Sequence, residues 1–286
     1  MMFMGTSAGE GTPAPFCKCK YCVTARERGG RELRLRSSFR LDEFNAIDLG
    51  HDSVATAQKL GVDFVNVRNV FYTHTHDDHF DHQLIWTRSV AEHIPEPLNL
   101  WFSEEGIRVL EDSLYTCKYT ATSKDYFGES NVKLHVLRHY EETDCGDYLV
   151  TAIPGFHRTA YENLSNNLIF KSKADGKTLL YALDTGLYPD DAFEKIRGCK
   201  FDVAITEHTF PTLDKDFPGG VAVHMDTKRT IMFFDKLREI GCIDDTSKLF
   251  VTHTSPFGSN YKEQCEYFEK LDRPYKITVA YDGLEI

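Results

Sequence analysis

Phe71-Tyr72-Thr73-His74-Thr75-His76-Asp77-Asp78-His79-Phe80-Asp81-His82 is the stretch on which the reading of this chain turns. The apolar run 67–73 before it has strand character, and side chains on a strand alternate with period two. His74 and His76 are therefore expected to leave the strand end on one side. Asp78 and His79 follow where the chain must turn into the next helix, and they approach the same point from another direction. Imidazoles and a carboxylate gathered at one strand end suit a borderline divalent cation such as zinc. An exposed polar turn is a poor account of four such donors in six residues directly behind an apolar strand.

One cation needs three or four protein donors and a pair needs more, so donors should recur downstream. They do, each behind an apolar run: His157 after 149–156, Asp184 after 179–183, and His253 after 249–252. Loops outside strand ends are where sheet-based α/β proteins collect ligands and catalytic groups, because the chain can turn there on a rigid base.

The rest of the chain is consistent with such a base. Of 286 residues 41% are hydrophobic, with 20 Phe and 14 Tyr, which supplies a large core and argues against disorder. Strand candidates fall at 45–49, 67–73, 98–102, 133–137, 148–153, 167–171, 178–183, 203–206, 249–252 and 277–281. Helix candidates alternate with them at 53–60, 81–93, 103–116, 189–196, 226–240 and 261–271. Ser103 followed by Glu104 and Glu105 suits a capped helix start, and Gly241 suits a stop. The expectation is a layered α/β protein, one domain over 1–286, with helices on the outer faces of its sheets. No apolar stretch approaches the roughly 20 residues of a membrane span. The start lacks the basic and apolar regions of a secretory signal, so a soluble cytoplasmic protein without a membrane partner is expected.

Lys and Arg number 33 against 44 Asp and Glu, a net charge of −11 that counts against a surface that clamps nucleic acid or anionic lipid, and a small anionic substrate is the partner expected. Residues 1–40 depart from that average. Lys18, Lys20, Arg26, Arg28, Arg31, Arg34, Arg36 and Arg40 stand there against Glu27 and Glu32. A solvated face and a positive rim for an anionic substrate are equally good accounts of that run. The same segment holds Cys17-x-Cys19-x-x-Cys22, whereas Cys117, Cys145, Cys199, Cys242 and Cys265 are scattered and read as free thiols.

His74, His76, Asp78 and His79 match HxHxDH, and the sequence resembles the metallo-β-lactamase superfamily in that signature. It is most similar to the branch that includes the phosphoribosyl cyclic-phosphate phosphodiesterase of the carbon–phosphorus lyase pathway. Gly5-Thr6-Ser7-Ala8-Gly9, the cysteine cluster, Arg36-Ser37-Ser38, Ile47-Asp48-Leu49-Gly50 and Leu183-Asp184-Thr185 carry that likeness. So do Val223-His224-Met225-Asp226, Thr252-His253-Thr254-Ser255 and the ending Tyr281 to Ile286. The resemblance implies an αββα sandwich with two divalent metal ions, zinc or manganese with iron as a further option, at the edge of the paired sheets. It gives His74, His76 and His157 to one metal, Asp78, His79 and His253 to the other, and Asp184 to both. His224 matches a position that contacts substrate phosphate and protonates a leaving oxygen, and Asp48 matches a carboxylate that orients a ligand imidazole.

Two departures stand out. His82 occupies a position where the family commonly has glycine; it, His51 and His208 are candidates for substrate binding, whereas His93, His135 and His139 read as structural. Cys17, Cys19 and Cys22 resemble a structural zinc site shared with pyrroloquinoline-quinone biosynthesis proteins. The fourth ligand there is a histidine three residues beyond the position of His253, which is Pro256 in this chain. The activity expected is hydrolysis of a small or cyclic phosphodiester, by a hydroxide held between the two metals and Asp184. A lactone, thioester or amide hydrolase, a non-catalytic cofactor-biosynthesis binding protein and an RNA-processing nuclease are the alternatives. A homodimer is compatible with all of them.

Overall fold

The computed structural model describes residues 1–93, 96–116, 130–159, 164–215 and 223–286; Cys117 lies outside the described residues. Two seven-stranded sheets form the centre. The first contains β1 (Met2–Gly5), β2 (Ser38–Arg40), β3 (Asn45–Ile47), β4 (Asn69–Phe71), β5 (Leu98–Phe102), β6 (Val132–Val136) and β14 (Leu284–Glu285), in the order β14-β1-β2-β3-β4-β5-β6. The second contains β7 (Glu142–Asp144), β8 (Tyr148–Arg158), β9 (Leu164–Ser172), β10 (Thr178–Ala182), β11 (Val203–Glu207), β12 (Lys248–Thr252) and β13 (Ile277–Val279), in the order β13-β12-β11-β10-β9-β8-β7.

Each sheet has a parallel half and an antiparallel half. β3 to β6 run parallel, as do β10 to β13. Parallel neighbours need long crossovers, and helices supply them. α2 (Ser53–Leu60), α3 (Gln83–Ser89) and α4 (Glu104–Thr116) serve the first sheet. α5 (Asp190–Lys195), α6 (Thr227–Glu239) and α7 (Tyr261–Glu269) serve the second. Strands buried on both faces read as apolar runs, and period-two alternation divides them between two cores. Phe71, Tyr181, Ile205 and Phe250 point between the sheets, together with Phe3, Phe39 and Phe170. Their neighbours point outward: Val70 and Tyr72 with Leu110 and Leu114 of α4, and Leu180, Ala204 and Val251 with Phe193, Phe233 and Phe268. The result is the α/β sandwich expected from the sequence, helices outside and sheets within.

Several boundaries differ from the sequence reading. α3 is much shorter than 81–93, because the Asp81 carboxylate accepts from Gln83 N at 2.8 Å and sets the helix start beyond it. The N-terminal segment is not only a loop: β1 pairs with both β2 and β14, and α1 (Lys20–Arg28) begins at Cys19 as its N-cap. β4 ends at Phe71, so His74 and His76 lie beyond the strand, and their convergence owes nothing to strand alternation. No helix among the described residues is long and apolar enough to cross a membrane.

Candidate metal centre

The histidine-rich loop follows β4 as a tight turn, in which His79 N and Phe80 N both donate to His76 O. Gly50 keeps that turn in place: a Cβ there would come within 2.5 Å of Asp78 O. Asp184 and His253 leave β10 and β12 on the same edge, and His157 stands near the end of β8. Asp48, Asp184 and His253 all have positive φ, 53°, 50° and 55°. Left-handed backbone at non-glycine residues costs on the order of 1 kcal/mol or more and collects where function holds it in place. Here it turns three side chains back over the strand ends.

The donors meet in two sets. His74, His76, His157 and Asp184 form one, and Asp78, His79, Asp184 and His253 the other, with ligand atoms within 4.8 Å of one another in each. Asp184 belongs to both through different oxygens. Its Oδ2 lies 3.5 Å from His74 Nε2 and 3.8 Å from His157 Nε2. Its Oδ1 lies 2.8 Å from His253 Nε2 and 3.4 Å from His79 Nε2.

Hydrogen bonds on the far side of the rings fix which nitrogen faces the cluster. His79 Nδ1 donates to Asp48 Oδ2 at 2.7 Å. Thr73 Oγ1 gives its one proton to the same Asp48 oxygen at 2.7 Å, so at 3.1 Å it can only accept from His74 Nδ1. The second sheet repeats the device: Thr209 Oγ1 donates to Glu207 Oε2 and accepts from His253 Nδ1 at 2.9 Å. The Nε2 atoms of His74, His79 and His253 are thereby left pointing inward.

Those inward nitrogens crowd. His74 Nε2 and His157 Nε2 lie 3.0 and 3.1 Å from His76 Nδ1, and His79 Nε2 lies 3.2 Å from His253 Nε2. Lone pairs at such separations repel unless a positive charge sits among them, and Asp184 Oδ1 is buried with no well-directed hydrogen bond. The donor set therefore fits a pair of divalent cations, with His/Asp ligands of the borderline type.

Protonation follows the same electrostatics. Burial opposes charge on His79, but Asp184, Asp78 and Asp48 outweigh it and hold its pKa well above the ordinary value. Burial likewise opposes charge on His253, yet Asp184 and Asp78 raise it to about 10. Asp184 is held well below the carboxylate range, since burial is overcome by His253 and His79. Burial and the neighbouring His79 keep His74 neutral.

His224 stands at the rim, its ring centroid 4.6 Å from that of His157 and 5.8 Å from that of His253. The structure adds a residue that sequence reasoning missed. Glu207, fully buried at the end of β11, lies 3.1 and 3.2 Å from His224 Nδ1 and also accepts from Thr185 N and Met225 N. Burial works against a charged His224, and Glu207 more than offsets it, so the pKa is raised. The only available signal was a glutamate closing an otherwise apolar strand, Val203 to Thr206.

The other candidates are placed differently. His208 is fully buried, with Nε2 2.8 Å from Thr227 Oγ1, and burial and the nearby Arg34 push its pKa down to about 3. It has no surface to offer a substrate, which corrects its placement in the cleft. His51 is exposed and 3.7 Å from Asp81, and His82 is the N-cap residue of α3; neither joins the donor sets. The basic run is largely spent on the chain itself. Arg26 donates to Cys17 O and Ala14 O, Arg34 is buried against Ala280 O, Arg36 pairs with Asp52, and Arg40 binds three carbonyls. Cys17, Cys19 and Cys22 do converge, their sulfurs within 4.8 Å, but no fourth side chain joins them among the described residues. Pro256 reaches them only through its carbonyl, 3.8 Å from Cys19 Sγ.

A profile of the beta-lactamase superfamily domain matches residues 47–253, most of the chain and every member of both donor sets. The chain belongs to the metallo-β-lactamase superfamily. Solved structures agree on the superfamily fold over the full length. A diphosphatase of the PhnP family superposes with a TM-score of 0.71 at 20% identity, covering 99% of this chain and 95% of its own. Zinc-bound PqqB from Methylobacterium extorquens gives 0.71 at 16%, covering 99% and 98%, and the short form of human tRNase Z gives 0.63 at 17%, covering 99% and 96%. No curated protein matches the sequence significantly. Within the superfamily, this member is a metal-dependent hydrolase by its buried His/Asp cluster.

Proposed function

We propose that this chain is a phosphodiesterase acting on a small or cyclic phosphodiester, with His74, His76, His157 and Asp184 holding one divalent cation and Asp78, His79, Asp184 and His253 the other. Bound there, the two cations would supply a water of lowered pKa and neutralise charge on a phosphoryl oxygen. The chain's own residues do the rest. Asp48 and Glu207, directly and through Thr73 and Thr209, keep the imidazoles in one tautomer and orientation. Glu207 occupies Nδ1 of His224 and favours its protonated form, leaving Nε2 to hand a proton to the departing ester oxygen.

That Glu207–His224 pair is the observation that carries the reading. An alkoxide leaving group needs a proton, and a buried carboxylate is placed to keep one available above the ordinary imidazole range. The PhnP-family diphosphatase and the tRNase Z among the similar structures are both named for phosphorus–oxygen cleavage, which supports the same chemistry. We further propose a small anionic substrate, whose phosphoryl charge the two cations would neutralise against the chain's own net charge of −11. The test compares a nitrophenyl phosphodiester, a five-membered cyclic phosphodiester and a panel of lactones and thioesters, using protein loaded with zinc or manganese. Turnover of the diesters at least about 100-fold above the carbonyl substrates is expected; the reverse order would make the chain an acyl hydrolase. Salt-steep binding of RNA would instead point to a nuclease.

A further inference from the structure

The helix layer over the second sheet stops short. α5, α6 and α7 cover β10 to β13, while among the described residues the outward side chains of β8 and β9 meet the flank of α5, the segment after it and the segment at Tyr140 and Glu142. The outcome is an open groove of about 530 Å³. Leu149, Ile153 and Ile169 form its floor, and Ile196 and Phe201 its wall. Ile153 lines this groove and His157 lies four residues further along β8, so about 13 Å of extended chain separates it from the metal centre.

Charge at the rim runs against the rest of the molecule. Lys171, Lys195 and Lys200 stand around an apolar floor with Glu142 as the one acidic residue of the lining. Lys200 has an exposed partner in Asp244 at 3.6 Å. Lys171 and Lys195 make no ion pair with a carboxylate among the described residues, and Lys195 Nζ instead lies 5.6 Å from the ring centroid of Tyr140. The volume falls in the range of small-molecule sites, which are mostly apolar with a few polar groups that set orientation.

We propose that this groove binds a small amphipathic anion. Its apolar body lies on the half-buried Leu149 and Ile169, and its carboxylate or phosphate headgroup sits between Lys171, Lys195 and Lys200. The inference is independent of the phosphodiesterase reading, since none of these residues belongs to the metal centre.

Decanoate, titrated calorimetrically into the full chain as purified, tests it, with decanol and acetate as probes of the tail and the headgroup alone. Acetate also reports any carboxylate binding at the metal centre. Saturable binding of one decanoate is expected, with decanol and acetate each at least about tenfold weaker. The double variant Lys171→Glu/Lys195→Glu, altered only at exposed positions, and Ile169→Asp should each weaken decanoate about tenfold or more with unchanged circular dichroism. Absence of saturable binding, equal affinity for decanol, or undiminished binding by the lysine variant would overturn the proposal. A concentration-dependent dimer that the lysine variant alters would overturn it too, by making the groove a self-association face.

Discussion

Glu207 Oε2 sits 3.1 Å from His224 Nδ1, and the same oxygen takes the hydroxyl proton of Thr209, which in turn faces His253 Nδ1. One buried carboxylate thus governs both the rim imidazole and a ring of the donor set. Removing its charge should show first at His224.

Glu207→Gln lowers the pKa of His224, because the group that raises it is gone. Activity that needs the protonated imidazole then fails at lower pH. The alkaline limb of the kcat profile should move toward acid, measured with a substrate whose leaving group requires a proton. For a nitrophenolate leaving group the shift should be smaller. An unmoved limb would remove His224 from the role of acid.

Asp48 orients His79 directly and His74 through Thr73. Asp48→Asn should weaken metal affinity by about 10–100-fold, the range for partners of ligand imidazoles, with excess metal restoring most of the activity. Competition with a chromophoric chelator measures the affinity.

Asp184→Asn should reduce turnover by more than about 100-fold, beyond what loss of an orienting group gives. The circular dichroism spectrum should stay unchanged, since Asn preserves the shape of a side chain whose neighbours are polar on every side. Near-normal turnover would contradict its place in both donor sets.

Metal-free protein should lose stability as pH rises from about 6.5 to about 10. His253 is raised in the folded state, so its contribution is complete below the unfolded value of 6.5 and is lost as pH climbs through about 10. Asp184 is depressed, so its contribution is present above the unfolded value of 3.8 and is lost as pH falls through the folded one. Metal-loaded protein should behave oppositely near pH 6.5, because cations need neutral imidazoles. Thermal melts with and without chelator, at pH 5.5, 7 and 9 (about half a unit's precision suffices), show the crossing.

Elemental analysis should find two equivalents for the His/Asp sets, and a third only if the three thiols hold one. Cys17→Ser should leave the first two untouched in either case, as no cysteine lies in either set.

Much of the centre was legible because its donors follow apolar runs, and such runs predict strands whose ends share an edge. His74, His76, Asp78, His79, His157, Asp184 and His253 were all named on that basis and all converge. The route was partly wrong, since β4 ends at Phe71 and a turn, not strand alternation, brings His74 to His76. Glu207 escaped notice because one glutamate after an apolar run has many ordinary explanations, and its partner lies 17 residues further along the chain. His208 was misplaced for a related reason: its neighbour at the strand end faces the cluster, and adjacent residues there point to opposite sides. The arginines of the N-terminal run showed charge but not which carbonyls and carboxylates would consume it.

Residue chemistry and spacing by themselves determined the layered α/β plan and the identity of the donors, because those depend on local periodicity and on which side chains carry lone pairs; the superfamily came from the resemblance of the His74–His79 signature to a known family. Tertiary structure alone decided which nitrogen of each ring faces inward, that Asp184 divides its two oxygens between the sets, and that Glu207 stands behind His224. Those are matters of a few ångströms between residues far apart in the chain, set by left-handed turns at Asp48, Asp184 and His253 that no local pattern announces.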